Sequence, residues 1–86
     1  IHTVCAQVTT KFLEWAKIAG NDLITPHLEV DFPGLKNGDS WCICADTYSQ
    51  SIEAGTACKI FLKKTNYKTL KIIPLEKLKK YAIDLS

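Results

Sequence analysis

The period of apolar and polar positions changes several times along the chain, and each change marks an element. Thr3 to Val8 is rich in β-branched residues and reads as a strand. Phe12, Trp15, Ala16 and Ala19 then fall at i, i+3, i+4 and i+7, which predicts a helix over Lys11–Ala19 with one apolar face. Thr9 or Thr10 offers its cap, and Gly20-Asn21 its stop. Residues 21–40 break the pattern. Asn21, Asp22, Pro26, Pro33, Gly34, Asn37, Gly38 and Asp39 are turn formers, so this stretch is expected to be a long loop. Ordered loops of such length are often functional. Phe32 and Leu35 are expected to pin a turn at Pro33-Gly34 by packing inward. Lys36-Asn37-Gly38-Asp39 reads as a second tight turn.

Regular patterning resumes at Ser40. Ser40–Ala45 is short and apolar, which predicts a buried strand. Asp46 or Thr47 can cap a helix running to about Ala54, closed by Gly55. Ala57–Lys63 reads as another strand, Thr65–Leu70 as a helical turn and Leu70–Ile73 as a last short strand. Pro74 suits the first turn of a final helix whose apolar face is Leu75, Leu78, Tyr81 and Ala82. The order is β-α-loop-β-α-β-turn-β-α. The expected fold class is α+β: a small sheet of three to four strands, with helices packed mainly on one face, in two layers. The 86 residues fit one domain, 1–86, with a modest core.

Composition sets limits without naming a reaction. Hydrophobic residues make up 47% and charged residues 23%, ordinary globular values that argue against disorder. No apolar run approaches the ~20 residues of a membrane span. There is no methionine, so Ile1 is expected to follow upstream residues. The net charge of +2 conceals an asymmetry: residues 1–54 hold three lysines against seven acids, and residues 55–86 hold eight lysines against Glu76 and Asp84. Every basic residue is lysine. Arginine dominates bidentate readout of phosphate and guanine, so nucleic acid is a disfavoured partner. The four cysteines, Cys5, Cys42, Cys44 and Cys58, stand without a visible secretory start, so free thiols in a reducing cytoplasm are expected.

Candidate chemistry gathers at the loop and the strand after it. Cys42 and Cys44, as i and i+2 of a strand, would point to one side about 7 Å apart, too far for a bridge between them. If the first two strands pair, His2 and Cys5 approach, and His2, Cys5, Cys42 and Cys44 together have the ligand types of a zinc site. Their spacing is not that of a zinc knuckle, and burial as small apolar groups is the simpler expectation. No cofactor is expected, with zinc as the possible exception. Asn21, Asp22, Thr25, Asp39 and Trp41 are the ligand-binding candidates. For Asn21, Asp22 and Thr25 the leading expectation is that they build the loop, Asn21 by its left-handed geometry and Asp22 and Thr25 by bonding its backbone, which is compatible with binding. Trp15 and Trp41 are expected as core anchors, whereas an exposed Trp41 would suggest a binding surface. A cysteine nucleophile would need His2 or His27, and His27 reads as an exposed loop residue. No Gly-rich phosphate loop or HExxH motif occurs. Lys59, Lys63, Lys64, Lys68, Lys71, Lys77, Lys79 and Lys80 read as the solvated face of amphipathic elements, with an acidic partner as the other possibility.

Gly20-Asn21-Asp22-Leu23-Ile24-Thr25-Pro26, followed by Phe32-Pro33-Gly34-Leu35-Lys36-Asn37-Gly38-Asp39-Ser40-Trp41-Cys42-Ile43-Cys44-Ala45, resembles the pattern of the domain of unknown function 2237 family of small bacterial-type proteins. His2-Thr3-Val4-Cys5-Ala6, Glu53-Ala54-Gly55 and Ile73-Pro74-Leu75-Glu76 extend the likeness over nearly the whole chain. Members usually carry a segment ahead of the HTVCA stretch, so a site drawing on it is expected to be incomplete here. Where members often have a proline pair, this chain has Ala57-Cys58, and Cys58 inherits no role. The resemblance implies a fold and boundaries but no reaction. The leading functional expectation is a non-enzymatic binding or interaction domain with its site framed by the 21–40 loop. The alternatives are a metal-binding or thiol-dependent enzyme using Cys42 and Cys44 with Cys5 and a histidine, or a weak nucleic-acid binder acting through the lysine-rich half. No membrane partner is expected, and an edge strand leaves a homodimer open.

Overall fold

The computed structural model describes residues 2–85. Its centre is β1 (Val4–Gln7), flanked by β2 (Ser40–Ile43) and β3 (Lys59–Ile60) in the order β2-β1-β3, both pairs antiparallel. Alternation along β1 sorts its side chains: Val4 and Ala6, with Val8 beyond, are buried, whereas Cys5 and Gln7 between them are half-buried. The buried set faces helix α1 (Thr10–Ile18), which contributes Phe12, Leu13 and Ala16, and helix α2 (Ala45–Glu53), which contributes Ala45 and Tyr48. Helix α3 (Leu75–Lys79) adds Leu78, and Ile43, Cys58, Ile60 and Ile73 complete the cluster. The class is α+β, as the pattern predicts. Burying an aromatic such as Phe12 contributes about 1.5–3 kcal/mol, so the inner face supplies much of the stability.

Local chemistry explains the boundaries. Thr9 caps α1, its hydroxyl accepting from the Phe12 amide at 3.3 Å. Buried polar groups are paired. The Tyr48 hydroxyl donates to the Cys58 carbonyl at 2.6 Å, and the Thr69 hydroxyl donates to that of Thr3 at 2.7 Å. Among the described residues no buried side-chain nitrogen or oxygen lacks a partner, as a small core requires. No helix among them is long and apolar enough to cross a membrane.

Four expectations give way. The strand foreseen over Ser40–Ala45 stops at Ile43, because Cys44 takes the extended N-cap position of α2 in place of Asp46 or Thr47. It is also mostly exposed, being the edge strand. The strand over Ala57–Lys63 shrinks to Lys59–Ile60. The Asp84 carboxylate accepts the amides of Leu62 (2.9 Å) and Lys63 (2.8 Å) and turns the chain into a 3-10 turn at Leu62–Lys64. Leu70–Ile73 is no strand. Asn66 caps a 3-10 turn over Tyr67–Lys71, and the place beside β3 is taken by the segment around Ala82, with Ile60 and Tyr81 or Ile83 sharing backbone bonds. The last helix ends at Lys79, so Tyr81 and Ala82 reach the core from beyond it.

Candidate functional site: the 21–40 lobe and the β2 edge

The long loop is a folded lobe. Asn21 donates its amide to the Ala16 carbonyl at the end of α1. Asp22 then holds the next turn: one carboxylate oxygen accepts the amides of Ile24 (2.9 Å) and Thr25 (3.1 Å), and the other accepts the Thr25 hydroxyl. These donors, the Thr25 hydroxyl first, favour the ionised form and hold the carboxyl down at about 2. The two arms are joined by the Leu35 amide on the Leu23 carbonyl, while Leu23, Ile24 and Leu35 pack against the core. At the tip His27 and Phe32 exchange backbone bonds around a 3-10 turn at Leu28–Val30. At the base Asp39 accepts the Lys36 amide at 3.0 Å, and its carbonyl receives the Val8 amide. Asp22, Thr25 and Asp39, expected as ligand contacts, are thus engaged in building the lobe.

What the lobe presents outward is apolar. Leu28 is 76% and Val30 70% exposed, alternating with exposed Glu29 and Asp31. Phe32 does not pack inward with Leu35. It lies against His27 and against Trp41, ring centroids 5.6 Å apart in the second case. Trp41 is not the core anchor expected of it. It is 38% exposed on the edge strand, opposite Ala6, whereas Trp15 is half-buried against Phe12. A depression of about 200 Å³ beside Trp41 is lined by His2, Asn21, Cys42 and Cys44 among others. Five of the nine candidates therefore meet there. Among the described residues, however, no three His, Cys, Asp or Glu side chains cluster so as to hold a metal ion.

The cysteines fall into distinct places. Cys42 is exposed, Cys44 half-buried at a helix cap, and Cys58 sealed in the core. Cys42 and Cys44 line the same depression beside Trp41, although β2 ends at Ile43 between them. Expected burial instead belongs to Cys58, whose thiol is pushed up to about 12 by desolvation. Cys5 stands directly opposite Cys42 across the β1–β2 pair. Both line a separate cleft of about 310 Å³, with Ser40, Trp41, Phe61 and Lys64. The Cys5 thiol donates to the Lys64 carbonyl at 3.1 Å. Desolvation and the adjacent Cys42 raise its pKa above the ordinary value, against the opposing pull of the Lys64 ammonium. Phe61 was not among the sequence candidates, and Lys64, its Nζ 5.3 Å from the Phe61 ring centre, was considered only as part of the lysine-rich face. Only the unforeseen 3-10 turn brings them to Cys5.

His27 is exposed at the lobe tip, with Nδ1 3.3 Å from a Glu29 oxygen. The eight C-terminal lysines are all exposed, and Lys79 lies 3.7 Å from Glu76.

The family model described as "Uncharacterized protein conserved in bacteria (DUF2237)" matches residues 1–82. The chain belongs to this family. The matched span contains the whole lobe, the β2 edge and all four cysteines, so the arrangement described above lies within the family domain. No curated protein matches the chain.

Proposed function

We propose that this family member is a small non-enzymatic binding domain of the cytoplasm, and that its site is the outer surface of the 21–40 lobe with Trp41. One observation carries the reading: the side chains of Asp22, Thr25 and Asp39 are used internally, while Leu28, Val30 and Trp41 are held outward by a turn-rich frame. Presenting apolar side chains to water costs free energy, and a partner that covers them recovers it. Glu29 and Asp31 flank the apolar positions, so the fitting partner is a protein segment that combines apolar side chains with basic ones. Free thiols throughout the described chain support a reducing compartment.

Panning a displayed random-peptide library on the full chain tests this, with counter-selection on Leu28→Ser and Trp41→Ala. The expected binders are apolar-basic peptides that lose most of their affinity for both variants, the exposed Leu28 position guarding against a folding artefact. Binders that ignore both substitutions and follow the C-terminal lysines would sink the proposal.

A further inference from the structure

We propose that Cys5 and Cys42 form a reversible cross-strand disulfide, making the cleft beside Phe61 and Lys64 a site of thiol–disulfide exchange with low-molecular-weight disulfides. This goes beyond the binding reading and does not rest on it, since the lobe takes no part.

Backbone pairing decides the geometry. The Cys5 amide donates to the Thr65 hydroxyl at 3.2 Å, and its carbonyl accepts from Phe61 at 2.8 Å, so both backbone groups are turned away from β2. The Cys5–Cys42 register is therefore a non-hydrogen-bonded pair. Such pairs bring Cα atoms to about 4.5 Å, with side chains on one face. That lies at the short end of the roughly 4.4–6.8 Å over which disulfides form. The other thiols offer no such partner: Cys44 sits past the end of the strand, and Cys58 is sealed on the inner face. A bridge on the exposed edge strand is within reach of reducing thiols and is readily opened again.

Accessibility orders the steps. Exposed Cys42, as thiolate, attacks one sulfur of the disulfide RSSR; an S–S bond forms to Cys42, and RS⁻ leaves and takes up a proton. Cys5 then loses its proton to solvent and attacks the Cys42 sulfur, expelling the second RS⁻, which is protonated in turn. Two protein thiols are oxidised by two electrons in total, and RSSR is reduced to two RSH. The half-buried Cys5, bonded to the Lys64 carbonyl, is the resolving group. The Lys64 ammonium at the cleft favours an acidic disulfide such as oxidised glutathione over a cationic one such as cystamine.

The reduced full chain is incubated with oxidised glutathione, quenched with an alkylating reagent, unfolded in the presence of the same reagent and peptide-mapped. Alkylatable thiols are expected to fall from four to two, with one peptide bridge joining Cys5 to Cys42. Cys5→Ser is expected to trap glutathione on Cys42, and Cys42→Ser to abolish the bridge. Resistance of Cys58 to alkylation before unfolding shows that each variant is folded. Lys64→Gln, which keeps the accepting carbonyl, is expected to lower the glutathione-to-cystamine rate ratio several-fold. A bridge to Cys44, a wild-type chain that keeps glutathione on Cys42 with Cys5 free, or no reaction at Cys42 in the folded chain would overturn the assignment.

Discussion

On the inner face of the sheet, Val4, Ala6, Ile43 and Ile60 meet Phe12, Tyr48 and Leu78 in a dry cluster. The 21–40 lobe, a few residues away, holds its shape through carboxylates, backbone bonds and positive-φ residues, and leaves Leu28 and Val30 in water. The first region is specified by volume and the second by geometry. Volume-specified regions tolerate little truncation, because cavities forfeit dispersion and transfer energy. Geometry-specified regions tolerate changes to outward side chains but not to the atoms that set the turn. That division lets the lobe display an apolar surface without its shape depending on that surface.

The largest expected effect lies in the core. Phe12→Ala should cost about 3–5 kcal/mol, a large share of the 5–15 kcal/mol typical of a domain. Urea unfolding should show a lower midpoint at unchanged slope; a loss under about 1 kcal/mol would mean that Phe12 is not part of the volume-specified region.

Next comes Gly34, at φ 82°, where an added Cβ would run into the Ile24 carbonyl. Gly34→Ala should exceed the roughly 1–2 kcal/mol of a left-handed residue alone. Gly38→Ala, at φ 95° with open space around it, should cost only that conformational amount. Equal losses in the two variants would dissolve the claim that the lobe arms are fitted to each other.

Asp22 gives a smaller, local test. Its folded carboxyl titrates near 2, below the ordinary 3.8. The stabilisation is therefore present above the ordinary value and lost as pH falls through about 2. Amide chemical shifts of Ile24 and Thr25 should move with a midpoint near 2, and Asp22→Asn should remove the transition. A midpoint at the ordinary value would show that these hydrogen bonds do not hold in solution. Least of all, Leu28→Ser should change stability by no more than about 0.5 kcal/mol, since Leu28 touches so little. A larger loss would place it in the core rather than on a display surface.

How far the fold and site were legible differs element by element. α1 was readable because Phe12, Trp15 and Ala16 repeat at helical spacing and Thr9 caps them. The strand at Leu70–Ile73 was misread because its apolar run looks the same whether it pairs or curls; the Asn66 cap and the Thr69–Thr3 hydrogen bond decided for a 3-10 turn. Asp22 stood out as a loop builder because a carboxylate between turn formers bonds nearby backbone amides, and it holds those of Ile24 and Thr25, as Asp39 holds that of Lys36. The alternation of Leu28, Glu29, Val30 and Asp31 between turn residues is the sequence signal of the outward apolar pair.

The cysteines draw the line most sharply. Local pattern alone determined the α+β class, the first helix, the lobe between Gly20 and Ser40, and the family, because these follow from short-range period and turn chemistry. Which sulfur is buried, which is exposed and which faces another depended on where β2 ends and how it registers on β1. Register joins Cys5 to Cys42, residues far apart in the chain, and only packing of the inner face selects it: a slip by one residue would turn Ile43 out to solvent and part the two thiols.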